Sequence, residues 1–159
     1  MSKEHLQQTA DRLNHELQSL QGRALISVNK ALVTQSSSAI PVVPLYMSIL
    51  FKLMAAEGTN EHCIEQMHRL FASGWLAGTA IAVDEKGRIR LDDLEMAPHL
   101  QQQIAEIWPQ IDTDNIAELS ALDLYQQDFY HLFGFGFDNI DYTLDIDPDV
   151  SIPSLVHPD

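Results

Sequence analysis

The sequence predicts an α/β chain that is mostly helical, with too few strands for a complete parallel sheet. Three observations carry this prediction. Apolar residues recur at three- and four-residue spacings in several stretches, as helices with one buried face require. Only short runs near Leu25–Val28 and Ile81–Leu91, and an alternating one at Ile140–Ile146, have strand character. Finally, Leu25 to Phe51 reads as strand, hydroxyl-rich loop and apolar helix, the junction at a strand's carboxyl end where α/β proteins bind ligands.

Composition narrows the class. The 159 residues make one domain's worth of chain, with 1–150 as the folded part and 151–159 a loose tail. A hydrophobic fraction of 45% is ordinary for a globular core. Twenty-three acidic residues face 9 basic ones, a net charge of −14, which argues against nucleic acid and anionic membranes as partners. Cys63 is the single cysteine, so no internal disulfide forms and a reducing cytoplasm fits. The start, MSKEHLQQ, lacks the apolar core of a signal peptide. The apolar run from Ala39 to Phe51 is broken by Pro41, Pro44 and Ser48 and is too short to span a bilayer.

In chain order, Leu6, Ala10, Leu13, Leu17 and Leu20 give the first helix an apolar stripe over Ser2–Leu20, closed by Gly22. The strand Leu25–Val28 follows, then a serine-rich turn from Asn29 to Ser38. A helix from about Pro44 to Glu57 ends at Gly58, a suitable C-terminal cap. Thr59 or Asn60 caps the next helix, through roughly Phe71, with Glu61, Glu65 and Arg69 on its wet side. Ser73–Gly78 is a small-residue connection. Ile81–Val83 and Ile89–Leu91 flank Asp84-Glu85-Lys86-Gly87, which reads as a short hairpin. Asp92 and Asp93 cap a helical stretch ending at Trp108-Pro109. Short helices begin at Thr113 and Asp123, the latter carrying Leu124, Tyr125, Phe129 and Leu132 before Gly134. Ile140, Tyr142, Leu144 and Ile146 alternate with polar residues in a strand pattern.

Each candidate site has a plain structural alternative. Thr34 and Ser36–Ser38 could bind a phosphate at the following helix start, but composition favours a loop that caps a helix. His62, Cys63 and His68 point in different directions on a helix and lack a second ligand pair, so no metal is expected. Asp145, Asp147 and Asp149 lack the glycine and glutamate of a calcium loop. Gly134-Phe135-Gly136 follows a helix rather than a strand, and no G-x-S-x-G turn exposes a serine nucleophile. Phe51 and Tyr125 could line an apolar pocket, although aromatics at helical spacing are usually core. Lys3, two residues from the start, reads as a solvated end.

The stretch SVNKALVTQ-x-SSAIPVVPLY at Ser27–Tyr46 resembles the NADH-dependent trans-2-enoyl-CoA and enoyl-acyl-carrier-protein reductases, large single-chain relatives of short-chain dehydrogenases. Four further stretches resemble the same family in the same order. They are Lys3-Glu4-His5-Leu6 with Arg12-Leu13-Asn14; Gly58-Thr59 with His62-Cys63-Ile64-Glu65-Gln66; Val83-Asp84-Glu85 with Arg88–Asp93; and Leu132-Phe133-Gly134-Phe135. Leu94 stands where the family has tryptophan, and Ser73–Gly78 replaces a more charged segment.

The resemblance implies the carboxyl-terminal portion of a Rossmann-type fold. Its expected cofactor is NADH and its substrate an enoyl-CoA or enoyl-acyl-carrier-protein thioester. Lys3 matches the lysine of the family's Tyr-x8-Lys pair, which binds the nicotinamide ribose and favours the reactive state of the tyrosine. That tyrosine would lie before Met1, as would the first strand and Gly-rich turn that hold adenosine and pyrophosphate. Leu32, Val33 and Thr34 fall where the strand-end loop meets the nicotinamide carboxamide and pyrophosphate. Phe51 and Tyr125 fall on segments lining the acyl pocket. The chain alone is therefore expected to be inactive, with a separate amino-terminal half as an expected partner. The rival expectation is a non-enzymatic helical remnant that serves as an interaction module.

Overall fold

The computed structural model describes residues 2–72, 78 and 80–146. Most of Ser73–Gly78, the aspartates at 147 and 149 and the tail 151–159 lie outside the described residues. Helix α1 (Ser2–Leu17) continues as a 3-10 turn, Gln18–Leu20. Gln21 then adopts a left-handed conformation (φ 54°) that reverses the chain. The Asn14 amide fastens the next segment to α1, donating to the Ala24 carbonyl at 2.7 Å and accepting from its N–H at 2.9 Å. Strand β1 (Ile26–Val28) follows. Of the α1 stripe only Ala10 is buried; Leu6, Leu13 and Leu20 stay exposed, since no described element covers that face.

The centre of the molecule is α3 (Val43–Glu57), reached through a single helical turn, α2 (Gln35–Ser38). Met47, Ile49, Leu50, Phe51 and Met54 are each at most 1% exposed, because this helix is apolar on nearly every face. Two helices cover it: α5 (Pro98–Ile107), through Leu100 and Ile104, and α7 (Leu122–His131), through Tyr125 and Phe129. A 3-10 turn (Trp108–Gln110) and α6 (Ile116–Leu119) connect them. Gly58 closes α3 at φ 69°, its N–H and that of Thr59 capping the last carbonyls.

Helix α4 (Cys63–Leu70) begins after His62, whose N–H is bonded by the Glu65 carboxylate, so the cap lies later than Thr59 or Asn60. Arg69 does not face water as expected. Its guanidinium spans Glu61, Asp93 and the Leu91 carbonyl at 2.8–3.2 Å, tying α4 to the chain beyond β2 (Arg88–Arg90).

The expected hairpin is not formed. Residues 81–83 are not a strand, and β2 pairs with β1 in parallel, Ile26 opposite Arg88 and Val28 opposite Arg90. Asp84 explains the difference. Its carboxylate accepts from the N–H groups of Lys86 and Arg88 and from the Arg88 guanidinium, which turns the chain into β2 without a partner strand. The alternation at Ile140–Ile146 does not become a strand either, since no described strand edge lies beside it; these side chains stay exposed. Asp92 and Asp93 do not cap α5, which starts at Pro98. Among the described residues no helix is long and apolar enough to cross a membrane.

Candidate functional site

Side chains from α3, from α4 and from the segment before α5 converge on the loop that leaves β1. Lys30, two residues beyond the strand, is only 3% exposed. Its backbone N–H donates to Gln66 Oε1 on α4 at 3.0 Å. The next N–H, of Ala31, donates to Glu95 Oε2 at 2.6 Å. Glu95 also accepts from the Tyr46 hydroxyl at 2.7 Å, and Gln101 donates both to that hydroxyl and to the Glu95 carbonyl. The Lys30 ammonium donates to the Ala31 carbonyl at 3.2 Å and lies 4.5 Å from the centre of the Phe51 ring. Ala31 is thus held at both its N–H and its C=O.

These surroundings displace the titration of two groups. Burial pulls the Lys30 ammonium below the usual lysine range, while the carboxylates of Glu95, Asp128 and Glu61 act in the opposite direction. Burial pushes Tyr46 up to about 12; Gln101 opposes this, and Glu95 adds to it.

Beyond Ala31 the loop is held by Ser37, whose hydroxyl donates to the Leu32 carbonyl at 3.1 Å. Thr34 and Ser37 cap α2 reciprocally: Ser37 N–H to Thr34 Oγ1 at 3.0 Å, and Thr34 N–H to Ser37 Oγ at 2.9 Å. The cap alternative for this loop is therefore present in the structure. Val33 is buried in the core, Leu32 is half-buried and Thr34 is exposed. On the outer side Leu32 and Val33 wall a groove of about 590 Å³ between the start of α4 and α7, with His62, Cys63, Asp128 and His131. His62 Nδ1 and Asp128 Oδ2 face each other there at 3.6 Å. Among the described residues no three His, Cys, Asp or Glu side chains gather to hold a metal ion.

The other sequence candidates lie apart. Lys3 is exposed on the first turn of α1 and makes no hydrogen bond or ion pair with the loop. Phe51 is 1% exposed, its ring beneath Lys30. Tyr125 is half-buried against the core, and its hydroxyl has no hydrogen-bond partner among the described residues. Sequence reading missed Lys30, Tyr46, Gln66, Glu95 and Gln101. A charge wedged between Val28 and the apolar Ala31–Val33 run was a local hint for Lys30. Glu95, 64 residues from Ala31, gave none.

Comparison with known proteins gives the chain's family and fold likeness. Residues 1–75 match a family profile described as "Trans-2-enoyl-CoA reductase catalytic region", and 83–146 match one described as "Enoyl reductase FAD binding domain". The chain is 48% identical over 155 residues to the enoyl-acyl-carrier-protein reductase (NADH) of Cytophaga hutchinsonii, covering 98% of this chain and 39% of that protein. It is 51% identical over 146 residues to the trans-2-enoyl-CoA reductase (NADH) of Clostridium perfringens, covering 92% and 37%. The crystal structure of Clostridium acetobutulicum trans-2-enoyl-CoA reductase in complex with NAD superposes with a TM-score of 0.86 at 40% identity, over 91% of this chain and 38% of that one. The Treponema denticola enzyme in complex with NAD gives 0.83 at 43%, over 91% and 36%. The chain thus spans under two fifths of the length of these relatives. Residues 83–146 do not form the glycine-turn cradle of a dinucleotide-binding unit. Gly134 and Gly136 follow α7 rather than a strand, so no strand, glycine turn and helix cradle a dinucleotide phosphate among the described residues of this stretch.

Proposed function

The chain belongs to the NADH-dependent trans-2-enoyl thioester reductase family, matching the carboxyl-terminal portion of its members, and from that premise we propose that it supplies part of such a reductase. The observation that carries the reading is the clamped loop Ala31–Thr34 at the carboxyl end of a parallel strand pair, the position at which this fold class binds dinucleotides. When bound, NADH supplies the hydride for the β-carbon of an enoyl-CoA or enoyl-acyl-carrier-protein thioester in fatty acid synthesis.

In this reading Leu32, Val33 and Thr34 seat the nicotinamide end through backbone and side chain. Lys3, exposed at the start of α1, holds the nicotinamide ribose and favours the reactive state of a tyrosine that is supplied from outside this chain. That hydroxyl stabilises the enolate oxygen as the hydride arrives. Phe51 and Tyr125 shape the acyl side from α3 and α7. Residues 1–150 act as the carboxyl-terminal part of one catalytic domain, working in the cytoplasm with an amino-terminal NAD-binding portion. The uncovered Leu6, Leu13 and Leu20 of α1 suit a surface that such a portion covers. A helical interaction module has less support, because the likeness to the enzymes keeps helix and strand order over 91% of the chain.

The test is NADH oxidation with crotonyl-CoA, by the purified chain alone and after co-expression with the amino-terminal portion of a family member. No turnover alone, and turnover together that Lys3→Ala abolishes, is the expected result. Turnover by the chain alone that survives Lys3→Ala would sink the assignment of roles.

A further inference from the structure

We propose that Lys30, with Glu95 and Tyr46, is a positioning residue that fixes the peptide groups on both sides of Ala31 and so presets the Leu32–Thr34 segment for its ligand. The proposal rests on the cofactor role given to that segment above. None of the three side chains is asked to touch a reacting atom.

Three features support it. First, the loop is not held by a sheet ladder. Four of its backbone groups are taken by side chains: Lys30 N–H by Gln66 and Ala31 N–H by Glu95 from distant elements, and Ala31 C=O by the Lys30 ammonium and Leu32 C=O by Ser37 from nearby in the chain. Second, Lys30 is a desolvated cation, which is costly, and the carboxylates of Glu95, Asp128 and Glu61 favour its charge from a distance rather than through an ion-pair contact. This ammonium has one backbone acceptor and one aromatic face, and no carboxylate oxygen within 4.0 Å among the described residues. Third, the network couples distant elements. Tyr46 rises from α3, Gln66 from α4, and Glu95 precedes α5 next to Gln101. The loop therefore inherits the rigidity of the core helices while facing the groove walled by Leu32 and Val33. A preset segment avoids the ordering cost that a mobile one would meet on binding.

The experiment uses the full 159-residue chain with Lys30→Met, Lys30→Arg and Tyr46→Phe. Backbone amide hydrogen exchange is read residue by residue, thermal melting alongside, and NADH is titrated as the probe. The expected result for Lys30→Met is exchange at Ala31, Val33 and Thr34 faster by about tenfold or more while α3 amides are unchanged. Lys30→Arg should recover part of that protection. Where wild type binds NADH, Lys30→Met should weaken the binding about tenfold, following the loop. Unchanged exchange in the loop overturns the proposal. So does acceleration spread equally over α3 with a lowered melting temperature, because that describes a merely structural lysine. Should wild type take up no NADH, the cofactor reading fails for the isolated chain, and the exchange and melting pattern still decides the positioning role.

Discussion

The Tyr46 hydroxyl donates to Glu95 at 2.7 Å, so a residue in the first turn of α3 determines what an acid almost fifty positions later can hold. Glu95 is 7% exposed, and its other oxygen carries the Ala31 N–H. Tyr46→Phe removes the donor and leaves a buried carboxylate oxygen short of a partner. The expected cost is about 1–3 kcal/mol. A urea titration should show a lower midpoint with an unchanged slope.

The same hydroxyl makes alkaline stability diagnostic. Its pKa rises from 10.0 in the unfolded chain to about 12 in the fold, with burial the main cause. Between those values the folded state holds a proton that the unfolded state has lost. The contribution is therefore complete below pH 10 and disappears as pH climbs through about 12. Comparing wild type with Tyr46→Phe across this window should show the wild type losing stability more steeply. Parallel curves would mean that the phenol is not protected.

At the acid end Asp84 behaves oppositely. Its hydrogen bonds to the Arg88 guanidinium and backbone hold its carboxyl at about 2, well below the usual carboxylate range. The stabilisation is present above the unfolded value of 3.8 and is lost as pH falls through about 2. Asp84→Asn should flatten the acid limb of the stability curve there and lower stability at neutral pH, as read by circular dichroism.

Asp84 also shows why part of the fold escaped the sequence. Ile81–Val83, a polar turn and Ile89–Leu91 satisfy every local rule for a hairpin, and only pairing energy decides between that and a parallel partner sixty residues upstream. Periodicity cannot see such a choice. The alternation at Ile140–Ile146 failed for a related reason, since a strand needs an edge to join. What was legible was what local chemistry fixes: the apolar α3, its Gly58 cap, and the loop–helix junction that follows β1. The clamp behind that junction was not legible, because Lys30, Gln66 and Glu95 become a network only when three separate elements pack together.

Val42 adopts φ 64° immediately before α3, where a β-branched side chain is strained. It is 64% exposed and has little packing to lose. Val42→Asn should raise stability by about 1 kcal/mol, since asparagine tolerates the left-handed region. Val42→Ala keeps a Cβ there and should gain less. A pair of thermal melts separates the two, and equal gains would mean that the strain is not local.

Tyr125 offers the cleanest test of the acyl side. Phe51 is a poor probe, because truncating so buried a ring costs about 3–5 kcal/mol and confounds binding with folding. The Tyr125 hydroxyl is buried without a partner among the described residues, and burial raises its pKa. Removing an unsatisfied buried hydroxyl relieves desolvation, so Tyr125→Phe should be neutral or stabilising by up to about 1 kcal/mol. If that hydroxyl meets the thioester in the assembled enzyme, the KM for crotonyl-CoA should rise severalfold with the KM for NADH unchanged. A stable variant with unaltered KM for the thioester would remove Tyr125 from the substrate pocket and leave it as core.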